Sequence, residues 1–182
     1  MVRIMREIWD GLPVEEPEVD PVELPSPGSL RNKLLIKVKY APPEEPVSTP
    51  SSGDDKERKS VAPNKMTQEL STMTICTRGM SFKALDALEV SNPVHLFSLS
   101  EAKVHDVLET HPYELFNHNI YHFMRTYPSG ARIDSSNMDP SSFWRKGIQM
   151  VSLNWQMWDT GMMINSGMFE DTQGWVLKPP GT

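Results

Sequence analysis

The sequence predicts an α/β fold whose strands form a parallel sheet or barrel. Three observations lead there. From about residue 66 onward, strand-like runs alternate with helix-like segments. One short helix, "MDPSSFWRKG", carries both of its boundary signals: Asp139 as N-cap with Pro140 in the first turn, and Gly147 at the stop. It leads straight into "IQMVSLNWQ", Ile148 to Gln156, whose β-propensity predicts a buried strand.

Taken in order, Met1 to Leu12 predicts an amphipathic helix, because Val2, Met5, Ile8, Trp9 and Leu12 recur at helical spacing. Gly11 and Pro13 end it. The acidic, Pro-rich "VEEPEVDPVELPSPGS" reads as irregular. "KLLIKVKY", Lys33 to Tyr40, is a strand in which Lys37 and Lys39 share one face. Residues 41–65 offer almost nothing to bury and predict a disordered linker between two structured parts, 1–40 and 66–182. A strand is expected around Met73 to Thr77. "HLFSLSEAKVHDVLETH" reads as a strand turning into a helix capped by Ser98 or Ser100, with Glu101 at capping-box spacing from Ser98. Val104, Val107 and Leu108 form that helix's buried face. "IYHFMRTYP" and "GWVLKPP", Gly174 to Pro180, predict further strands.

The 182 residues suffice for one domain of ordinary size. Eighteen basic against 24 acidic residues give a net charge of −6, which argues against general nucleic-acid binding but leaves room for a local anion site. The single cysteine, Cys76, excludes an internal disulfide, fits a reducing compartment, and reads as a small core residue. No run approaches the roughly 18 apolar residues of a membrane span. Arg3, Arg6, Glu7 and Asp10 interrupt the N-terminal apolar run, unlike a signal peptide.

Within "MRTYPSGARIDSSN", Arg125 and Tyr127 alternate and would share one strand face before a Pro-Ser-Gly turn. A guanidinium beside a phenol suits a bulky anion such as phosphate. The plainer reading, an ordinary exposed strand end, is the one these residues alone favour, with the other left open.

Several motifs in order resolve the choice. "RTYPSGARIDSSN", "FWRKGIQMVSLNWQ" and "GWVLKPP" resemble segments of the second, or Y, half of the catalytic region of eukaryotic phosphoinositide-specific phospholipase C. "LPSPGSLRNKLLIKVK" is similar to the end of its first, or X, half, and "HNIYHFMRTYP" to the approach to its arginine strand. The resemblance implies part of a (β/α)8 TIM-type barrel, roughly its second half, interrupted by a variable linker. It implies phosphatidylinositol 4,5-bisphosphate at a membrane surface as the ligand, and hydrolysis to diacylglycerol and inositol trisphosphate in intracellular signalling as the activity. Lys37 and Lys39 resemble the lysines that bind ring phosphates, Ser98 a serine near one, Arg125 the arginine on the 4-phosphate, and Tyr127 the tyrosine against the inositol ring. A phosphomonoester is close to dianionic, so a guanidinium clamp with lysine point charges fits it.

In that family the catalytic histidines and the calcium ligands belong to the X half, upstream of the segment this chain resembles. Calcium is therefore expected in the complete enzyme, with no ligand for it here. The five histidines (His95, His105, His111, His118, His122) read as surface or structural residues, His118 and His122 lying in a loop that enters a strand. Ala131 and His105 stand at positions where many members carry large apolar residues on a membrane-touching ridge. The expectation is a chain inactive alone, completed by an X half, cytoplasmic and peripherally membrane-associated in the full enzyme. A non-catalytic inositol-phosphate binder and a truncated gene product are the alternatives; no regulatory partner is indicated.

Overall fold

The structure, a computed structural model, describes residues 1–14, 22–41, 68–85 and 92–178. Its centre is a five-stranded sheet, all parallel, with the strands side by side in chain order. They are β1 (Val38–Lys39), β2 (Arg78–Met80), β3 (His95–Ser100), β4 (Met124–Tyr127) and β5 (Met150–Val151). An unbroken order with no reversal is how a barrel wall is wound, whereas a doubly wound sheet switches direction at its middle. The helices are α1 (Val2–Ile8), α2 (Gln68–Ser71), α3 (Glu101–Thr110), α4 (Pro112–Tyr121), α5 (Ser141–Trp144) and α6 (Thr160–Phe169). None of them is long and apolar enough to cross a membrane.

Alternation divides the sheet into two faces. One face carries Phe97 and Leu99 of β3, Met124 of β4 and Val151 of β5. These pack with Val104 and Val107 of α3, Leu115 of α4, Phe143 of α5, Met138 and Ile148 to form the core. Full burial of side chains of this size stabilises the fold by about 1.5–3 kcal/mol each. Cys76 is a buried free thiol, as read from the sequence.

α3 follows the expectation most closely, with Val104 and Val107 buried, but its cap is specific: Ser100 accepts a hydrogen bond from the Lys103 amide at 3.3 Å. Ser98 does not cap it, and Glu101 is engaged elsewhere. The N-cap of α5 is Pro140 rather than Asp139, which stands one residue earlier and accepts from the Ser141 amide at 2.9 Å; Gly147 follows the helix with φ +74°.

Other expectations shift. α1 is shorter than Met1–Leu12, and of its stripe only Val2 is buried. The first strand contracts to Val38–Lys39, with a separate bridge from Leu34 to Pro13. The strand expected at Met73–Thr77 lies instead at Arg78–Met80, because Met73 and Thr74 close turns onto Leu70 and Ser71. Pro112 opens a ten-residue helix where the aromatic run "IYHF" suggests the start of a strand. His118 therefore sits in α4 rather than in a loop, and His122 at its C-cap. The ladder at Ile148–Gln156 is limited to Met150–Val151. Residues 175–178 form no strand, since Lys178 is drawn inward to the Asn119 carbonyl instead. Ala41, at the expected start of the linker, is 3% exposed and exchanges two hydrogen bonds with the Ser71 hydroxyl, while 42–65 fall outside the described residues.

Candidate functional site

The sheet face away from the helices carries the polar residues. Ser98 and Arg125 are partners in register, and Ser100 pairs with Tyr127 one level further along. Lys39 pairs with Gly79, which aligns with Leu96, two residues before Ser98 on the same face. Lys37 precedes Lys39 by two and shares its side. Four of the five residues singled out in the sequence thus come from three strands onto one face, with Lys37 just before β1 on the same side.

Their interactions are specific. The Arg125 guanidinium lies 4.9 Å from the Tyr127 ring centroid, a cation–π contact that fixes both side chains. Burial, and after it the positive field of Arg125, hold the Lys37 ammonium below its usual pKa. Lys37 remains exposed as a residue, so solvent screens part of this repulsion. Its dependence on Arg125 brings together two groups that are 88 positions apart in the chain. The Ser98 hydroxyl is buried and without a protein partner. Gly79 is required for the close approach of β1, since a Cβ there would stand 2.6 Å from the Val38 carbonyl oxygen. The arrangement is a cationic surface with a hydroxyl and an aromatic face, suited to a polyanion. The donors on this face are ammonium, guanidinium and hydroxyl groups, which do not fit a calcium ion.

The histidines stand elsewhere. His95 pairs with Arg78 on the core side of the sheet. The His105 ring contacts Phe143, and His111 lies between α3 and α4. His118 and His122 stack at 4.6 Å, with His118 also against Phe97. Nδ1 of His118 faces Asn119 Oδ1 at 3.1 Å and Nδ1 of His122 faces the His118 carbonyl at 3.1 Å, so both rings carry the Nδ1 proton. Burial lowers the His118 pKa to about 4, with the Asn119 bond opposing and His122 adding to the shift.

Two polar knots use residues from the sequence motifs. Asn119 donates to the Lys146 carbonyl, while its own carbonyl accepts from Gln149 at 2.7 Å and Lys178 at 2.6 Å. Gln149 also accepts from the Met124 amide, fixing the start of β4. In the second knot, the Asn137 amide donates to Asp159 at 2.6 Å and the Asn154 amide to Asn137 Oδ1 at 2.6 Å. The Asn137 bonds chiefly hold the Asp159 carboxyl below its usual pKa. Arg132 meets Glu101 through Nε at 2.9 and 3.1 Å and donates to Ser136. The sequence reading assigned Glu101 to a cap and missed this pair; the signal was Arg132 itself, fixed within "RTYPSGARIDSSN".

The comparisons agree with this architecture. Residues 70–181 match the family described as phosphatidylinositol-specific phospholipase C, Y domain. The 1-phosphatidylinositol 4,5-bisphosphate phosphodiesterase 1 of Candida albicans is 30% identical over 98% of the chain and 20% of its own length. The delta-4 phosphodiesterase of Xenopus laevis is 30% identical over 87% of the chain and 24% of its own length. This chain thus spans between a fifth and a quarter of these two relatives. PLC21 from S. officinalis superposes with a TM-score of 0.79 at 26% identity, covering 98% of this chain and 24% of that one. PLC21 from L. pealei gives 0.78 at 27% identity with the same coverage. The expected α/β barrel fold holds over essentially the whole chain. On this evidence the chain belongs to the phosphatidylinositol-specific phospholipase C family, of which it carries the Y domain.

Proposed function

We propose that this chain forms the ring-phosphate-binding wall of a phosphoinositide phospholipase C. In the complete enzyme, phosphatidylinositol 4,5-bisphosphate is cleaved to diacylglycerol and inositol trisphosphate. Arg125 clamps one ring phosphate, Lys37 and Lys39 add point charges, Ser98 donates its hydroxyl, and Tyr127 lies against the ring. The observation that carries the reading is the convergence of Lys37, Ser98 and Arg125 on one face, with Arg125 over the Tyr127 ring. Calcium and the histidines that the phosphodiester step needs are contributions of the X half. The complete enzyme works in the cytoplasm at the membrane surface.

The test fuses a donor X half before Met1 and compares two lipids. Each charge-assisted contact is worth about 1.5–3 kcal/mol, so Arg125→Ala lowers turnover of the bisphosphorylated lipid by roughly ten- to a hundredfold. Unphosphorylated phosphatidylinositol, with no ring phosphate to lose, changes far less. Equal losses on both lipids would remove the phosphate role.

A second reading is a non-cleaving binder of inositol phosphates. It is favoured by the location of all five histidines away from the cationic face. Binding of soluble inositol trisphosphate by the chain alone, without lipid cleavage in any barrel that includes it, would select this reading.

A further inference from the structure

We infer that the Glu101–Arg132 ion pair is a positioning clamp that sets the geometry of the cationic face, with Arg132 acting through the backbone rather than on the ligand. The inference rests on the reading of that face as a phosphoinositide site. Ser100 and Tyr127 are the last residues of β3 and β4 and lie side by side. Glu101 is the next residue after Ser100 and the first of α3. Arg132 follows Tyr127 by five residues, in a series of tight turns closed by Arg132 onto Ser129 and Ser135 onto Arg132. The pair therefore ties the exit of one strand to the exit of the next, just beyond the level of Ser98 and Arg125.

Its geometry is that of a holding contact. Nε reaches both carboxylate oxygens, at 2.9 and 3.1 Å, while an NH1 proton goes to Ser136 at 3.1 Å. The Arg132 side chain is 30% exposed and that of Glu101 15%, so the pair is shielded more than a surface ion pair. Nε–H and one NH1 proton of Arg132 are thus taken up by Glu101 and Ser136. Removing either end frees the turn after Tyr127, and with it the cation–π contact that orients Arg125.

The sign of one substitution separates positioning from direct attraction. Glu101→Gln deletes a negative charge near an anion site. If Glu101 acts only through its field, binding tightens; if it holds the turn, binding weakens. The experiment measures the 182-residue chain on phosphatidylcholine vesicles containing phosphatidylinositol 4,5-bisphosphate, and on vesicles with phosphatidylinositol instead. Glu101→Gln and Arg132→Gln each weaken bisphosphate binding by about five- to tenfold, and the exchanged pair Glu101→Arg with Arg132→Glu recovers most of it. The salt dependence of binding stays as in the wild type, because no ligand contact is lost. Circular dichroism and melting confirm that each variant is folded; where a single variant melts early, the exchanged pair decides. Unchanged or tighter binding by folded Glu101→Gln, or no recovery in the exchanged pair, overturns the clamp. If the wild-type chain shows no preference for the bisphosphorylated lipid, the functional reading fails. The clamp is then judged by amide exchange over 127–134, which accelerates in Glu101→Gln if the pair holds the turn and is unchanged if it does not.

Discussion

Arg125 was legible because alternation and a motif agreed on it: the spacing put it on a face with Tyr127, and the structure lays one over the other. His118 was not, because nothing in an isolated "HN" shows that a ring will be stacked and buried. Its consequence is acid sensitivity. The native pKa of His118 is about 4, below the ordinary 6.5. A depressed histidine pKa means that the folded state favours the neutral ring. Its contribution is complete above pH 6.5 and is lost as the pH falls from there toward 4. By pH 5 the loss reaches on the order of 2 kcal/mol, a fall in Tm of about 4–8 °C for a chain of this size. Melting at pH 7 and pH 5 measures it, with His118→Gln as the control that flattens the dependence. Equal pH dependence in the two proteins would show that other groups carry the effect.

At the scale of elements, α3 was legible because its apolar stripe and one of its two candidate caps, Ser100, agree, although the Ser98–Glu101 capping box does not form, whereas α4 was misjudged. "PYELFNHNIY" mixes aromatic and polar residues, and local propensity favoured a strand through Ile120 and Tyr121. The helix forms because Pro112 starts it and because Leu115, His118 and Asn119 fall on one buried face. β5 and the 175–178 segment were overread for a related reason: their motifs resemble strands, but Gln149 and Lys178 are bound into the Asn119 knot. Asn119→Ala removes the side chain that holds the Lys146 carbonyl, and Asn119 is fully buried. A loss of about 2–3 kcal/mol in urea unfolding is expected. Gly79→Ala drives a Cβ to within 2.6 Å of the Val38 carbonyl oxygen, so β1 must move off the sheet. Here the expected signature is weaker polyanion binding out of proportion to a stability loss of about 1–3 kcal/mol, since Lys37 and Lys39 leave with β1. Full retention of binding would mean that β1 contributes little to the cationic face.

For the whole molecule, the parallel winding followed from alternation, while its completion as a barrel came from resemblance; no local pattern encodes curvature. Of the five site residues, alternation put Lys37 with Lys39 and Arg125 with Tyr127 on shared faces, while Ser98 and every phosphate role came from the resemblance. Their supports were missed because Glu101, Arg132, Asn137 and Asp159 look like solvated polar residues until the chain brings them together. We expect the pure 182-residue chain to release no inositol trisphosphate from phosphatidylinositol 4,5-bisphosphate when calcium is added. Calcium-dependent release that is abolished by mutating the chain's own residues would contradict this.

The order of the strands also sets an order of assembly. Gly79 and Leu96 are 17 positions apart, Ser98 and Arg125 are 27, and Arg125 and Met150 are 25, whereas Val38 must find Arg78 across 40. The longer closure costs only about 0.4–0.8 kcal/mol more than the others. β1, like β5, offers just two ladder residues, but across the longest separation. With the longest closure and so short a ladder, β1 is expected to dock last, bringing Lys39 and, just before it, Lys37. On that order the lysines join the cationic face last, and a bound polyanion is expected to slow the departure of β1.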